Sequence, residues 1–303
     1  MLTSIIIPTH DRPELLQRAV ASARQAGSNI EIVVVDDGSR DETSAVCASF
    51  EAIVYVRLEE ARGVGYARKA GIAASSGKYI SFLDDDDARL PGSIDRQVAL
   101  LEASPDAALV YGQIYHATQN LAVGPQRLFP RACPTGDVFW PLIGSNFIPS
   151  CSVVVRRSAI DAAGGIFHEV TPADDWDLWL RIAERHPVAA LAEPVAIYRV
   201  PTLWSNQGSS RLADGLLDAD LRVLERCALL PRAVADARAF RRIARRTRGG
   251  FGLRLLAETL EAALRRDKYA LVSLRQAIGV GGATVYALFS PHTWKKVRER
   301  FRS

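Results

Sequence analysis

Short apolar runs alternate with helical patterns through the first 112 residues of this chain. Each run has the length of a buried strand, and the runs cover residues 4–8, 31–35, 52–58, 79–83 and 107–115. Helical patterns occupy the segments between them, which are 14–26, 39–50, 64–75 and the stretch after Pro91. Strands that alternate with helices predict an α/β fold, with a mixed, mainly parallel sheet and helices on both faces.

Local signals predict several boundaries. Ser39 and Glu42 have the spacing of a capping box, which predicts a helix that runs to about residue 50. Gly77 is placed to stop the helix before it, and Pro91 is typical of a first helical turn. Residues 116–150 hold several prolines and glycines and are predicted to be loops. Beyond them we expect strands at 152–156 and 195–198 and helices at 158–163 and 174–185.

Charge is divided unevenly along the chain. Residues 1–221 contain 19 Lys+Arg and 28 Asp+Glu, whereas residues 222–303 contain 19 Lys+Arg and 6 Asp+Glu. The opposite net charges of these two parts suggest a separate interaction role for the basic part. We therefore predict an α/β domain over residues 1–210 and a basic, mainly helical C-terminal extension over residues 211–303.

Other features of the sequence predict a cytoplasmic protein. No run of about 18 uninterrupted apolar residues occurs, so no membrane-spanning helix is expected. The N-terminal residues lack the basic region and the long apolar region of a signal peptide. The cysteines are scattered without metal-binding spacing, so we expect reduced thiols at Cys47, Cys133, Cys151 and Cys227.

Four consecutive aspartates, Asp84 to Asp87, follow the apolar run 79–83. Ligands of open α/β sheets bind at the carboxyl ends of strands, where this run would place its carboxylates. Adjacent carboxylates repel one another unless a cation lies among them, and oxygen ligands favour Mg²⁺ or Mn²⁺ bound together with substrate phosphates. The run therefore predicts a metal–diphosphate site, and a solvated acidic turn is the alternative.

Polar residues also follow the first two predicted strands. The first strand leads into Pro8-Thr9-His10-Asp11-Arg12, and the second leads into Asp36-Asp37. A carboxylate at a strand end can accept a hydrogen bond from a nucleobase edge or a ribose hydroxyl. The alternative is that Asp36 or Asp37 caps the following helix, and each of them could fill one of the two roles.

The helix predicted over 64–75 is preceded by Arg62-Gly63. Glycine allows a ligand to approach the backbone closely, and the N-terminus of a helix favours anions. Arg68 lies on this helix and could pair with the aspartate run or with a phosphate. The alternative for Arg68 is a solvated surface arginine.

A second acidic cluster, Asp174-Asp175-Trp176-Asp177, lies at the start of the helix predicted over 174–185. Carboxylates at a helix start interact favourably with the helix dipole, which is the structural explanation. The functional alternative is that one carboxylate faces a cleft and accepts a proton from a hydroxyl nucleophile. The aromatic side chains of this helix are mostly expected in the core.

Together these motifs resemble the family 2 inverting glycosyltransferases, which have the GT-A (Rossmann-like) fold. The resemblance covers residues 1 to about 205 and rests on six ordered segments, which are 4–12, 32–39, 62–68, 77–87, 164–167 and 174–181. The chain departs from the family pattern at His10 and Lys69, where Asn is usual, and at Asp174, where Glu is usual. No histidine follows Tyr198-Arg199, although the family often has one there.

The resemblance implies a metal-dependent, inverting hexosyltransferase. It would move a sugar from a nucleotide-diphosphate-sugar to an acceptor hydroxyl, in the synthesis of bacterial cell-surface polysaccharide or glycolipid. Asp175 would be the catalytic base, and Asp86 would bind Mn²⁺ or Mg²⁺ in a DXD motif that starts at Asp84. A saccharide or lipid-linked acceptor would lie beside Asp174 and Trp176. The residues implied in donor binding are Pro8, Thr9, Asp11, Asp36, Asp37, Arg62, Gly63, Arg68, Asp84 and Asp85.

Residues 290–303 predict a basic amphipathic helix. Ser290-Pro291 would start it, and Trp294, Val297 and Phe301 would form an apolar stripe among lysines and arginines. Such a helix suits an anionic membrane surface, which would place the protein at the inner face of the plasma membrane. The alternative is that the stripe packs on the α/β domain. The sequence contains no recognised nucleic-acid-binding module, so no nucleic-acid partner is expected.

Other classes of protein share parts of this pattern. A nucleotidyltransferase also combines a parallel sheet with metal-binding carboxylates, but it gives no reason for Asp174-Asp175. A receiver-type signalling domain also has acidic strand ends, but it is much shorter than this chain. A homologue that binds a nucleotide sugar without catalysis is a further alternative, and the retention of every acidic position argues against it.

Overall fold

The computed structural model describes residues 2–118, 120–121, 123–200 and 216–264. Its strands are β1 (Thr3–Thr9), β2 (Ile30–Asp36), β3 (Ile53–Arg57), β4 (Tyr79–Phe82), β5 (Ala88–Arg89), β6 (Leu109–Ala117), β7 (Val123–Phe129), β8 (Val153–Arg156) and β9 (Val188–Arg199). Its α-helices are α1 (Pro13–Gln25), α2 (Thr43–Ala48), α3 (Val64–Ala74), α4 (Ser93–Ala103), α5 (Phe139–Gly144), α6 (Arg157–Ala162), α7 (Asp174–Ala183), α8 (Leu216–Cys227), α9 (Pro231–Ala235) and α10 (Ala237–Leu264).

The strands form a mixed sheet in the order β3-β2-β1-β4-β8-β6-β9-β5, and β7 pairs with β6. Strands β1 to β4 pair in parallel, as do β6 and β9. Strand β8 is antiparallel to both of its neighbours, β4 and β6. The mixed, mainly parallel α/β sheet that the strand–helix alternation predicts is therefore confirmed.

The parallel strands are buried on both faces because helices cover each side of the sheet. Successive side chains of a strand point to opposite faces. Ile6 and Val33 therefore pack in the core on one side, while Ile5 and Val34 pack in the core on the other side. Burial of each such side chain contributes about 2 kcal/mol to folding. The uninterrupted apolar runs of the sequence supply both cores at once.

The described helices of the basic region pack against the α/β domain. Val223 of α8 and both Phe240 and Ala244 of α10 belong to the same buried cluster as Trp179 of α7. The side-chain hydroxyl of Thr247 on α10 also donates a hydrogen bond to the backbone oxygen of Ile143 at 2.9 Å. The domain boundary that we predict at residues 210 and 211 lies outside the described residues, so it remains a prediction.

The capping box predicted at Ser39 and Glu42 is wrong. Helix α2 begins only at Thr43, and the carboxylate of Asp41 accepts the Thr43 backbone N–H at 2.9 Å. The Ser39 hydroxyl instead accepts the backbone N–H of Asp11 at 3.0 Å. Ser39 therefore links the loops after β1 and β2, a contact that sequence spacing within one segment does not indicate.

The prediction of loops throughout residues 116–150 is also wrong, because this segment contains β7 and α5. Pro125 lies in β7, which pairs only with β6 among the described strands, and a proline is tolerated on such an edge. Pro141 lies in the first turn of α5, where the missing N–H is not needed. Prolines in these positions are therefore compatible with the strand and the helix that contain them.

Gly77 does not stop α3, which ends at Ala74. The backbone N–H of Gly77 donates to the Ser4 hydroxyl at 2.8 Å, and an added Cβ would lie 2.5 Å from that oxygen. The glycine is needed for close approach to β1. Similarly, Pro91 precedes α4 by two residues instead of occupying its first turn.

The predicted basic helix at 290–303 lies outside the described residues. Within the described part of the chain, none of the helices is both long enough and apolar enough to cross a lipid bilayer.

Candidate active site

The carboxyl ends of β1, β2 and β4 meet at one edge of the sheet because these strands are parallel and in register. Thr9 pairs with Asp36 at the ends of β1 and β2. The Thr9 hydroxyl also donates a hydrogen bond to Asp85 Oδ2 at 2.8 Å. The strand-end residues that sequence reasoning selected on β1 and β4 are therefore in direct contact.

Arginine side chains lie among the aspartates that follow β4. Arg12 Nη1 lies 3.1 Å from Asp85 Oδ1 and 3.5 Å from Asp86 Oδ2. Arg199 Nη2 lies 3.0 Å from Asp86 Oδ2, and its backbone N–H donates to Asp87 Oδ1 at 2.9 Å. Part of the repulsion within the run is thus offset by guanidinium groups, so the run is not a solvated acidic turn.

The aspartate run still carries more negative charge than its buried setting favours. Burial raises the pKa of Asp85 to about 7, and the nearby Asp86 adds to the rise, although the charge of Arg12 opposes it. Burial and the charge of Asp84 also raise the pKa of Asp86. Burial, Asp86 and Asp84 together raise the pKa of Asp87 well above its ordinary value. A further positive charge would therefore be favourable at this position.

Arg68 connects the aspartate run with the second acidic cluster. Its Nη2 lies 2.7 Å from Asp84 Oδ1, and its Nη1 lies 2.9 Å from Asp174 Oδ2, a residue 106 positions away in sequence. Only 4% of Arg68 is exposed, so the interpretation of a solvated surface arginine is wrong. One buried guanidinium thus holds the end of β4 against the start of α7.

Asp175 follows Asp174 in the first turn of α7 and remains partly accessible, whereas Asp174 is fully buried. Asp175 Oδ1 accepts the backbone N–H of Trp176 at 2.6 Å and an N–H of the Asn146 side chain at 3.4 Å. Burial, followed by the charge of Asp174, raises the pKa of Asp175 to about 7 against the opposing charge of Arg68. Such a carboxylate is suited to accept a proton near neutral pH.

The indole of Trp176 is part of the core. Only 3% of the residue is exposed, and Nε1 donates to the backbone oxygen of Leu142 at 2.8 Å. The prediction that Trp176 lies on the acceptor side therefore disagrees with its position, because the ring fills space between α7 and α5. The carboxylate of Asp174 forms an ion pair with Arg68 and is not exposed to solvent.

Asp36 and Asp37 differ in what they hold. Asp36 is fully buried and accepts hydrogen bonds from the Ser39 backbone at 2.8 Å and the Tyr55 hydroxyl at 2.7 Å. Burial raises its pKa, but these bonds and the charge of Arg57 lower it by more, so the net shift is downward. Its carboxylate is directed towards β3, away from the aspartate run.

Asp37 holds the loop before α3. Its two carboxylate oxygens accept the backbone N–H groups of Arg62 and Gly63, each at 2.8 Å. Neither Asp36 nor Asp37 caps α2, so that alternative is wrong. Gly63 has a φ of 88°, a conformation that glycine adopts without strain. The carboxylate and the glycine together fix the turn that leads into α3.

An aromatic stack that sequence reasoning missed lies beside this loop. The Arg62 guanidinium lies 3.5 Å from the centroid of the Tyr66 ring. The rings of Tyr66 and His168 meet at an angle of 83° with centroids 5.3 Å apart. A planar nucleobase could stack on such a surface. Arg62 precedes α3 and Tyr66 lies in its first turn, so helical periodicity does not mark the pair. The signal that could have been used is an arginine and an aromatic residue close together beside a glycine turn.

Pro8 and Asp11 are the remaining residues predicted in donor binding. Pro8 is buried in β1 opposite Val35. Asp11 is exposed, has a φ of 52°, and accepts the backbone N–H of Arg40 at 2.7 Å. The Nδ1–H of His10 donates to the backbone oxygen of Asp37 at 2.7 Å.

Sequence reasoning gave no role to Arg12, Arg199 or Asn146, although all three contact predicted site residues. Arg12 stands within the first segment of the resemblance, and its place in a motif was a signal that could have been used. Arg199 lies far along the chain from the aspartate run, outside the six segments. Asn146 lies in the segment predicted to be loop, where no periodic pattern marks it.

The described residues form an α/β protein with a polar site at the carboxyl edge of its sheet. The site combines acidic strand ends, a glycine turn before α3 and a second acidic pair on α7. Residues 4–163 match the family model described as Glycosyl transferase family 2. The chain belongs to this family, which confirms the predicted membership.

Two curated relatives illustrate the range of similarity. An uncharacterized glycosyltransferase of Rickettsia felis is 31% identical over 222 residues, which cover 70% of this chain and 36% of that protein. The succinoglycan biosynthesis protein ExoU of Rhizobium meliloti is 28% identical over 95% of this chain and 83% of its own length. Across four Rickettsia relatives, the chain spans between 31% and 58% of their length.

Solved structures with similar folds have lower identity. TarS residues 1–349 of S. aureus, in complex with UDP-GlcNAc, has a TM-score of 0.62 and 17% identity over 76% of this chain and 68% of that one. The mannosyltransferase PcManGT of Pyrobaculum calidifontis, in complex with GDP-Man and Mn²⁺, has a TM-score of 0.58 and 18% identity over 95% and 87%. At this identity the likeness shows the fold, and it confirms the GT-A architecture.

Proposed function

We propose that this protein is a metal-dependent, inverting glycosyltransferase that moves a hexose from a nucleotide-diphosphate-sugar to an acceptor hydroxyl. The observation that carries the proposal is the contact of Arg68 with both Asp84 and Asp174. It brings a candidate diphosphate site and a candidate general base together in one place. Family membership and the name of ExoU, a succinoglycan biosynthesis protein, support a role in cell-surface polysaccharide or glycolipid synthesis.

The donor would lie along the carboxyl edge of β1, β2 and β4. Arg62 and Tyr66 would stack on the nucleobase, and the loop that Asp37 holds would follow its edge. Thr9 and Asp85, already hydrogen-bonded to each other, would lie beside the ribose or the sugar. Asp36 would not contact the donor directly but would fix the loop at Ser39 through its hydrogen bond to the backbone. The named ligands of the structural neighbours, UDP-GlcNAc and GDP-Man, belong to this class of donor.

The aspartate run is chemically suited to a divalent cation. Its donors are all oxygens, and the raised pKa of Asp86 indicates that added positive charge is favourable. No group of three acidic, histidine or cysteine ligands is assembled within the described residues. Mg²⁺ is commonly held by one or two carboxylates together with substrate phosphates. Asp86 would hold Mn²⁺ or Mg²⁺, which when bound supplies charge neutralisation to the departing diphosphate.

Asp175 would act as the general base. It would take the proton of the acceptor hydroxyl while that oxygen forms a bond to the anomeric carbon, and the bond from that carbon to the diphosphate breaks with its electron pair. Attack opposite to the leaving group inverts the configuration. Asn146 and the Trp176 backbone would orient the carboxylate through Oδ1, which leaves Oδ2 directed to the acceptor.

A thermal-shift panel tests donor binding. We expect one of UDP-GlcNAc, UDP-glucose or GDP-mannose to raise the melting temperature by about 5 °C or more at saturating concentration with Mn²⁺, because a ligand that binds only the folded state stabilises it. EDTA should remove most of this shift, and free hexose should give none. If no nucleotide sugar stabilises the protein with either metal, the donor site is misassigned. Release of pyrophosphate instead of nucleoside diphosphate would favour a nucleotidyltransferase.

The pH dependence of transfer tests the role of Asp175. A general base must be deprotonated, so kcat/KM should rise with pH and level off above the raised pKa of about 7. Below that value the rate should fall about tenfold per pH unit. Donor-induced thermal shifts over the same pH range serve as the control for binding. A flat profile from acid to neutral pH, with donor binding intact, would argue against Asp175 as the base.

The cytoplasmic location with peripheral attachment at the plasma membrane remains part of this proposal. The segment first selected for attachment, residues 290–303, lies outside the described residues.

A further inference from the structure

One face of α10 carries a continuous row of exposed arginines. These arginines recur at helical spacing and are all exposed. They form a surface that we call the arginine ridge, which consists of Arg238, Arg241, Arg242, Arg245 and Arg246. Residues three and four apart lie on the same side of a helix. The five guanidinium groups are therefore concentrated on one side of α10.

The opposite face of α10 is fixed to the α/β domain. Phe240 and Ala244 are buried in the shared core, and the Thr247 hydroxyl donates to the backbone oxygen of Ile143 in α5. These anchors hold the helix in one orientation. The ridge therefore points outward from the α/β domain as a fixed surface.

Four members of the ridge, Arg238, Arg241, Arg242 and Arg246, form no ion pair with any described residue. The chain's own C-terminal residues 265–303 are a poor partner, since they contain nine basic and two acidic residues. Like charges repel, so these residues do not neutralise the ridge, and its exposed guanidinium groups favour the binding of an external anion.

Exposed apolar side chains lie next to the ridge in sequence. Leu229 is 79% exposed and Val234 is 60% exposed, the highest values among large apolar residues whose burial is described. Both lie in the short segment that leads into α10. Arginines beside exposed aliphatic residues are typical of surfaces that lie in the membrane interface. Single-stranded nucleic acid would favour exposed aromatic rings, and Phe240 is buried.

We propose that the arginine ridge, together with Leu229 and Val234, binds anionic phospholipid headgroups at a membrane surface. The same helix contacts α5, and the segment after α5 carries Asn146, which contacts Asp175. Membrane binding through the ridge would hold this side of the protein against the bilayer. The inference rests on the peripheral attachment that belongs to the proposed function and names the surface that would make it, and it does not depend on the proposed reaction.

Vesicle co-sedimentation of the full chain tests the proposal. We expect binding to vesicles that contain phosphatidylglycerol and little binding to pure phosphatidylcholine, with release at about 0.5 M salt because charges are then screened. Each basic residue near an anionic surface contributes about fivefold to partitioning, so Arg238→Gln/Arg241→Gln/Arg242→Gln should lower it about 100-fold. Leu229→Ser/Val234→Ser should lower it about tenfold.

A matched control removes the same charge elsewhere. Arg18→Gln/Arg24→Gln/Arg185→Gln changes three exposed arginines on α1 and after α7 and should alter partitioning by less than about threefold. Equal losses of vesicle binding in the two triple variants would show that only net charge matters and would overturn the proposal. Unchanged vesicle binding of the ridge variant would also overturn it. The same holds if the protein binds a single-stranded oligonucleotide tightly but does not bind the vesicles. Donor-induced thermal shifts of both triple variants report on the donor site separately.

Discussion

Asp175→Asn is expected to lower the rate of glycosyl transfer about 10²- to 10⁴-fold, which corresponds to about 3–5 kcal/mol in activation free energy. Asparagine keeps an oxygen that can accept the Trp176 backbone N–H, but it cannot take a proton from the acceptor. Folding should therefore be retained, with a melting temperature within about 2 °C of the parent. The measurement is nucleoside diphosphate release with the donor from the thermal-shift panel and a saccharide or lipid-linked acceptor.

Asp174→Asn is the matched control, because it makes the same chemical change one residue earlier. Asp174 is fully buried and paired with Arg68, so the change removes one of the negative charges that neutralise a buried guanidinium and should cost about 3 kcal/mol of stability. The pair should separate a chemical role from a structural one. A large fall in melting temperature for Asp175→Asn, or retention of more than about a tenth of the rate, would instead indicate a structural carboxylate at position 175.

Asp86→Ala is expected to abolish metal-dependent transfer, with a loss of at least about a thousandfold. The proposed ligand is removed, so the part of the donor-induced thermal shift that depends on Mn²⁺ should disappear as well. In the absence of ligand the free energy of unfolding should fall by less than it does for Asp174→Asn. The reason is that the lost contacts with Arg12 and Arg199 are offset by the relief of burial and of repulsion from Asp84, which raise the pKa of Asp86.

Asp86→Ala is informative because it should change activity much more than stability. The control is Asp106→Ala, which removes an exposed carboxylate before β6 and should leave both transfer and the Mn²⁺ effect unchanged. If Asp86→Ala unfolds the protein, its contacts with Arg12 and Arg199 are structural supports. Retention of Mn²⁺-dependent donor binding in a folded Asp86→Ala variant would exclude Asp86 as the metal ligand.

Most of the fold was predictable because hydrophobic periodicity is a local property. The apolar runs at 4–8 and 31–35 became β1 and β2, and the helix predicted at 174–185 became α7, within a few residues. The errors occurred where tertiary contacts override local signals. Ser39 bonds to the loop after β1 instead of capping a helix, and prolines within β7 and α5 occupy positions where no N–H is needed.

The candidate site was predictable only in part. Parallel strands carry their polar ends to one edge, so the polar residues after β1, β2 and β4 could be expected at the same edge of the sheet, where the structure shows Thr9 bonded to Asp85. The direction of each side chain could not be predicted in this way. Asp36 faces Tyr55 and Trp176 faces the core, although both stand beside residues that face the site.

The sequence alone therefore determined the class of fold, the family and the edge of the sheet where the acidic residues gather, because these follow from periodicity and from ordered motifs. The tertiary structure decided which charges meet. Arg68 reaches Asp84 and Asp174 at once, while Arg12 and Arg199 share Asp86. Such pairings depend on the path of the chain between distant segments, and the free energy of a buried charge is set by all the neighbours that this path brings to it.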